Sequence, residues 1–181
     1  MLYIVVDTEA NGPHPGKYSM IELGAVVVGK NRNGVYEIGE TFFANFAPRS
    51  NDYDPAALKA IGRSHIETLQ YPVASYGMVY FSQWINDMVD NYGVSRAQFV
   101  ADNAGFDWQF VNTYLHMFVG DNPFGYSPFS LTSFYKGIEH NMKASFKRLR
   151  KTKHYHNALA DAMGNAEALC TILQTYDIKG V

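Results

Sequence analysis

Two carboxylates near the start of the chain have the residue types and the spacing that metal-assisted chemistry requires. Asp7 and Glu9 follow the apolar run from Leu2 to Val6. Because successive side chains of a β-strand point to opposite faces, this spacing projects both acids to the same side. Two close carboxylates that lose their water either share a proton or bind a cation. The pair alone leaves two interpretations open, a metal site and two solvated acids at the end of a strand.

Two acids and a histidine in the second half of the chain give this pair a chemical purpose. Asp107 begins a helix after a short strand, Asp161 lies among Ala, Leu and Met in the last helix, and His156 precedes Asp161 by five residues. Singly, Asp107 suits a first helical turn and His156 suits a loop. Jointly, they fit phosphodiester hydrolysis, in which carboxylates hold two Mg²⁺ ions and a histidine deprotonates the attacking water.

A basic run precedes this histidine. The net charge is −2, yet six of the 15 Lys and Arg residues fall within residues 143–153, where there is no acid. One interpretation is a solvated face or loop, and the other is a phosphate-contacting patch formed by Lys147, Arg148, Arg150 and Lys151. Phe146 lies inside the run and is a candidate for stacking on a base, or else anchors the loop to the core. Phe106, Trp108 and His14 are further candidates for stacking, and core packing is the favoured alternative for Phe106 and Trp108.

The first half of the chain predicts an antiparallel meander. Residues 2–7, 20–29 and 35–46 are rich in Val, Ile, Phe and Tyr, and Asn33-Gly34 is a hairpin turn signal between the last two strands. The Gly- and Pro-rich loop at 11–16 lies directly after the acidic pair and would form the lip of a site. Helices are predicted over 54–61, with Pro in the first turn, and over 75–91.

The second half predicts strand, helix, basic loop and helix. Residues 97–101 form the strand, and the apolar spacing of Phe106, Phe110 and Tyr114 indicates the helix that follows. The last helix spans 158–176 and carries one apolar stripe, formed by Ala162, Ala166, Leu169 and Leu173. A meander followed by alternating strands and helices indicates an α/β fold with a mixed sheet flanked by helices.

Length and composition limit the remaining possibilities. A chain of 181 residues with 47% apolar content can bury one core, so residues 1–181 are expected to form a single domain. The single cysteine, Cys170, excludes an intramolecular disulfide. We identify no signal peptide and no apolar segment of about 18 residues, the length of a membrane span. A cytoplasmic protein without a membrane partner is expected.

These motifs, in this order, resemble the DEDDh 3′-to-5′ exonucleases, the group of ribonuclease T and the proofreading subunits of DNA polymerases. The resemblance covers nearly the whole chain. Three motifs carry it, namely Asp7-Thr8-Glu9, Asn103-Ala104-Gly105-Phe106-Asp107, and His156 with Asp161. The second strand, at Ile21 to Val26, and the segment Pro55 to Leu69 also resemble the family. It implies a ribonuclease H-like fold. It also implies a site with two divalent cations, Mg²⁺ or Mn²⁺.

The resemblance assigns roles to the matching positions. Asp7, Glu9 and Asp161 would hold one metal ion, Asp7 would bridge to the second, Asp107 would help to position that second ion, and His156 would be the general base. The substrate would be the 3′ end of single-stranded RNA or DNA. The resemblance also makes a homodimer one candidate assembly, because in some relatives one subunit's basic patch serves the other subunit's active site.

Contacts with the substrate are implied with less detail. Thr8, the loop after Glu9 and Asn103 would meet the terminal nucleotide. The family often has histidine immediately before the asparagine of the second motif, whereas this chain has Asp102. Asp102 therefore puts the identity of the substrate in doubt but removes no metal ligand.

Three functions follow from the sequence. The first is a metal-dependent 3′-to-5′ exonuclease of single-stranded RNA or DNA, with RNA the slightly favoured substrate because a stand-alone domain of this size resembles ribonuclease T-like exoribonucleases. The second is a stand-alone DNA exonuclease. The third is a nucleic-acid-binding module that keeps the fold without activity, against which the intact acids and His156 argue.

Overall fold

A computed structural model of the chain, which describes residues 1–178, is built around a five-stranded mixed sheet. The strands are β1 (Leu2–Ala10), β2 (Met20–Lys30), β3 (Tyr36–Asn45), β4 (Ala97–Ala101) and β5 (Phe129–Ser130). Their order across the sheet is β3-β2-β1-β4-β5. β1, β2 and β3 pair in antiparallel fashion, while β1 with β4 and β4 with β5 are parallel. The predicted meander and mixed sheet are confirmed.

Helices cover both faces of this sheet. They are α1 (Pro55–Ala60), α2 (His65–Thr68), α3 (Ala74–Asn91), α4 (Ala104–Phe118), α5 (Leu131–Ile138) and α6 (Ala158–Thr175), with a 3₁₀ turn at Phe146–Leu149. The sequence analysis did not predict α2, α5 or β5, because two to eight residues give little periodicity. Among the helices of residues 1–178, none has both the length and the apolar character to cross a membrane.

The alternation of β1 determines which helices each of its residues meets. Leu2, Ile4 and Val6 are buried in the cluster that contains α3 and α4. Tyr3 and Val5 are buried in the opposite cluster, which contains α5 and α6. Because the side chains alternate, Asp7 and Glu9 continue the set that faces α6, whereas Thr8 continues the set that faces α4.

The start of α6 lies unusually close to β2. Gly24 is the register partner of Asp7, and a Cβ at this glycine would lie 2.3 Å from the backbone of Ala158. Small residues on α6 permit the same close approach, and its predicted stripe is buried at Ala162, Ala166, Leu169 and Leu173. Gly24 therefore allows α6 to bring its first turns against the carboxyl end of β1.

Substitution of Gly24 by Ala tests this close approach. The added methyl group would overlap backbone rather than a side chain that can rotate away, so Gly24→Ala should lower the free energy of unfolding by about 1–3 kcal/mol. Gly137→Ala is the matched control, since nothing lies within 4 Å of its added Cβ and alanine is a better helix former than glycine in the last turn of α5. Urea denaturation measures both changes. Equal stability of the two variants would contradict the tight contact.

Candidate active site

Three carboxylates from two elements meet at the carboxyl end of β1. One side-chain oxygen each from Asp7, Glu9 and Asp161 lies within 4.8 Å of the others. Asp7 and Glu9 reach this point because they share one face of the strand, as their spacing predicted. Asp161 reaches it because α6 begins at Asn157, whose side chain accepts a hydrogen bond from the amide of Ala160 at 3.0 Å.

Asp107 approaches the same strand end from the opposite layer. It lies in the first turn of α4, and its Oδ1 accepts hydrogen bonds from the amide (2.9 Å) and the hydroxyl (3.0 Å) of Thr8. Thr8 is 3% exposed, and both of its donors point to Asp107. Thr8 therefore orients Asp107, and its expected contact with the terminal nucleotide stays a prediction.

Burial makes these acids poor anions when no cation is near. Desolvation raises the pKa of Glu9 to about 8, and the charges of Glu22, Asp161 and Asp107 add to the effect. Burial likewise raises the pKa of Asp107 to about 7, against the opposing effect of the hydrogen bonds from Thr8. The pKa of Asp7 lies well above its ordinary value, first through burial and then through the nearby carboxylates. A hard divalent cation such as Mg²⁺ or Mn²⁺ suits three such oxygen donors.

Asp161 is the most heavily bonded member of the cluster. Its Oδ1 accepts from the guanidinium of Arg150 at 2.9 Å and lies 2.8 Å from Nδ1 of His154. The amides of Tyr155 and Asn157 donate to its two oxygens at 3.2 and 3.3 Å. Asp161 therefore holds the loop before α6 as well as the acidic cluster.

Arg150 requires a correction. The sequence analysis grouped it with the phosphate-contacting residues, but its side chain is 7% exposed and is paired with the carboxylate and the carbonyl of Asp161. A buried guanidinium bound to a carboxylate is not available to a phosphate in this arrangement. Arg150 lies in a run of basic residues whose other members are exposed, so the sequence pattern does not indicate that its side chain is buried.

His156 lies on the rim of a groove that ends at the cluster. The groove has a volume of about 340 Å³ and is lined by Glu9, His156 and the largely apolar set Ala10, Gly12, Pro13, Asp54, Ala57, Ala60, Ile61 and Phe106. His156 is exposed and has a left-handed backbone, with φ of 51°. Its ring centre is 4.3 Å from that of His154, which the sequence analysis did not single out although it lies only two residues away.

Three aromatic side chains considered for base stacking differ in their surroundings. Phe146 is 1% exposed and packs edge-on against Tyr135, so the prediction that it stacks on a base is wrong and its alternative role as a core anchor is confirmed. Phe106 packs against the core as expected and also lines the groove. Trp108 packs against Phe99 as predicted.

The other predicted substrate contacts remain exposed. Lys147 lies 3.7 Å from Asp102, Arg148 donates to the hydroxyl of Tyr135 at 3.0 Å, and the side chain of Lys151 is free of ion pairs among the contacts of residues 1–178. Asn103 is exposed at the start of α4 and makes no capping hydrogen bond there. These four residues stay predictions as nucleic-acid contacts.

Comparison with known proteins gives this site its family. The RNase_T exonuclease family model matches residues 4–169. The chain belongs to this exonuclease family. It is 37% identical over 177 residues to the 3′-5′ DNA exonuclease Cap18 of Escherichia coli, covering 92% of this chain and 88% of that protein. It is also 27% identical over 110 residues to ribonuclease T of Photorhabdus laumondii, covering 60% of this chain and about half (51%) of that protein.

A solved structure supports the fold independently. The nuclease domain of 3'hExo, a DEDDh family member bound to rAMP, superimposes with a TM-score of 0.74 at 15% identity, covering 96% of this chain and 92% of that one. The chain is thus a nuclease hydrolase of the exonuclease family on a ribonuclease H-like fold, which it shares with that nuclease domain. A homodimer has no support in these comparisons and stays a prediction.

The raised pKa values predict how stability depends on pH when no metal is present. In the folded chain the pKa values of Glu9 (about 8) and Asp107 (about 7) exceed their ordinary values of 4.5 and 3.8. Their contribution to stability is therefore complete below about pH 4 and is lost as the pH rises through 7 to 8. In EDTA, the melting temperature should fall between pH 6 and pH 9, and Glu9→Gln should reduce that fall.

Mn²⁺ should reverse the trend, since it binds the deprotonated acids of the folded state. The stabilisation by millimolar Mn²⁺ should be larger at pH 8.5 than at pH 6. Differential scanning fluorimetry measures both effects. A wild-type melting temperature in EDTA that rises across this window, with the same slope in Glu9→Gln, would contradict the assigned protonation.

Proposed function

We propose that this enzyme removes nucleotides from the 3′ end of single-stranded DNA with the help of divalent cations. The observation that carries the preference for DNA is the 37% identity, across 92% of the chain, to a relative described as a 3′-5′ DNA exonuclease. The preference for RNA expected from the size of the domain has weaker support, because the match to ribonuclease T is 27% identical over 60% of the chain.

The groove supports a substrate that enters end first. Its apolar residues, among them Ala57, Ile61 and Phe106, suit the faces of a terminal base and sugar. Its acidic end, at Glu9, suits the cations that accompany a phosphate. The exposed basic side chains of Lys147, Arg148 and Lys151 are proposed to contact backbone phosphates further from the 3′ end.

The acids are proposed to hold two ions, Mg²⁺ or Mn²⁺. Asp7, Glu9 and Asp161 would hold the first, Asp7 would bridge to the second, and Asp107, held by Thr8, would support the second. When bound, such ions polarise the scissile phosphate and stabilise charge on the attacking and leaving oxygens. The raised pKa values of Asp7 and Glu9 support this proposal, because these acids gain most from a cation.

His156 is proposed as the general base that accepts the proton of the attacking water. Its imidazole is exposed on the groove beside Glu9, where a water molecule and a terminal phosphate would meet. Hydrogen bonds from the amides of Tyr155 and Asn157 to Asp161 hold the backbone on both sides of it. Asp161 therefore also acts as a positioning residue for the histidine.

One degradation assay separates the proposed DNA exonuclease from an exoribonuclease and from an inactive nucleic-acid-binding module. The test uses single strands of DNA and RNA of equal sequence, labelled at the 3′ or the 5′ end, with Mg²⁺, Mn²⁺ or EDTA. The proposal predicts early loss of the 3′ label, a descending ladder from the 5′ label, faster decay of DNA than of RNA, and no decay in EDTA. Faster decay of RNA would establish an exoribonuclease, and binding without decay would indicate an inactive module.

Variants at the site test the assigned roles. His156→Ala should reduce the rate of the chemical step by about 10²–10⁴-fold, as expected for loss of a general base, while Mn²⁺ still raises the melting temperature. Asp7→Ala should abolish both the activity and that thermal shift. His116→Ala is the control, because His116 is exposed in the last turn of α4, far along the helix from Asp107. Undiminished activity of His156→Ala in single-turnover kinetics would remove it from the mechanism.

A further inference from the structure

An ion pair between a buried carboxylate and a partly exposed guanidinium lies beside the acidic cluster. Glu22 is 1% exposed and is the register partner of Glu9 across β1 and β2. Its Oε1 accepts from Nε and Nη2 of Arg63 at 2.9 and 2.6 Å. A buried carboxylate costs several kcal/mol unless it is paired, and an apolar residue would fill the same space without that cost. The pair therefore needs an explanation beyond packing.

The two oxygens of Glu22 join different walls of the active site. Arg63 follows α1 and Ile61, which form one wall of the groove. The other oxygen of Glu22, Oε2, accepts from the amide of Ala158 at 3.4 Å, at the start of the helix that carries Asp161. Glu22 thus links the apolar wall of the groove to the acidic cluster.

The wall formed by α1 is held by the buried side chains of Leu58 and Ile61 and by ties at its two ends. This helix has six residues and buries only Leu58, so it is too short to be stable by itself. The N-terminus of α1 is attached to the loop after β1, because the amide of its N-cap residue, Asp54, donates a hydrogen bond to the carbonyl of Asn11 at 2.7 Å. Its other end is tied through Arg63 to Glu22. The ion pair completes the attachment of this wall.

We infer that Glu22 and Arg63 are positioning residues that hold the apolar wall at a fixed distance from the acidic cluster, so that cleavage depends on the presence of a terminal base. This inference rests on the proposed function, in which the wall contacts that base. A base that packs on a fixed wall brings its own phosphate to the acids. When the wall moves, the base no longer helps to place the phosphate, and the benefit of having a base is lost.

The test compares two DNA strands that differ only at the 3′-terminal nucleotide, which either carries its base or is abasic. Removal of that nucleotide is measured in single-turnover reactions with saturating enzyme. The wild type should prefer the normal terminus by roughly tenfold or more, the range that stacking of one base can supply. Arg63→Met should remove the normal terminus more slowly and lower the preference to about threefold or less. Arg63→Lys should retain part of the preference, since a lysine keeps the charge without the planar fork.

Controls separate positioning from loss of structure. Glu22→Gln/Arg63→Met leaves no unpaired buried charge and should also lose the preference, which provides a second variant if Arg63→Met folds poorly. Arg32→Met, in the exposed turn between β2 and β3, should behave as the wild type. The Mn²⁺-induced rise in melting temperature should persist in all of these variants, because the acidic cluster is intact.

The outcomes are distinct. Equal loss of rate on both strands, with the preference kept, would overturn the inference and leave a structural role for the pair. A wild type that shortens both strands without any preference would overturn it as well, although the exonuclease activity would stand. A wild type that shortens neither strand from the 3′ end would overturn the proposed function and the inference together.

Discussion

The mutual crowding of carboxylates at the end of β1 is the constraint on which the rest of the site depends. Asp7, Glu9 and Asp161 place oxygens within 4.8 Å of one another in a largely dehydrated corner, where each disfavours the charge of the others. The surroundings offset this repulsion in part. Arg150 contacts Asp161, and the charge of Arg63 acts to lower the pKa of Glu9. The negative charge that these groups do not offset gives the cluster its affinity for divalent cations.

The alternation of one strand distributes the acids between two layers of helices. Asp7 and Glu9 face α6 and meet Asp161, while Thr8 faces α4 and holds Asp107. The absence of a side chain at Gly24 lets α6 come close enough for this meeting. The arrangement of the acids therefore follows from β-strand alternation together with one close helix–strand contact, and the register with β2 shifts directly after Glu9.

Features with a local pattern could be predicted from the sequence, and features made by distant contacts could not. The shared face of Asp7 and Glu9, the meander and the stripe of α6 follow from spacing. Arg150 and Phe146 lie in a run whose composition suggested exposure, but tertiary packing buries both. The pair of Glu22 and Arg63 joins positions 41 residues apart, and no local pattern in the sequence indicates such a contact.

The proposed function depends first on a divalent cation site formed by Asp7, Glu9 and Asp161. The most direct measurement is anomalous diffraction at the manganese edge from crystals of the wild-type protein soaked in Mn²⁺. The account predicts a strong anomalous peak within coordination distance of oxygens from all three carboxylates. Manganese bound elsewhere on the protein, with no peak between these three side chains, would contradict it.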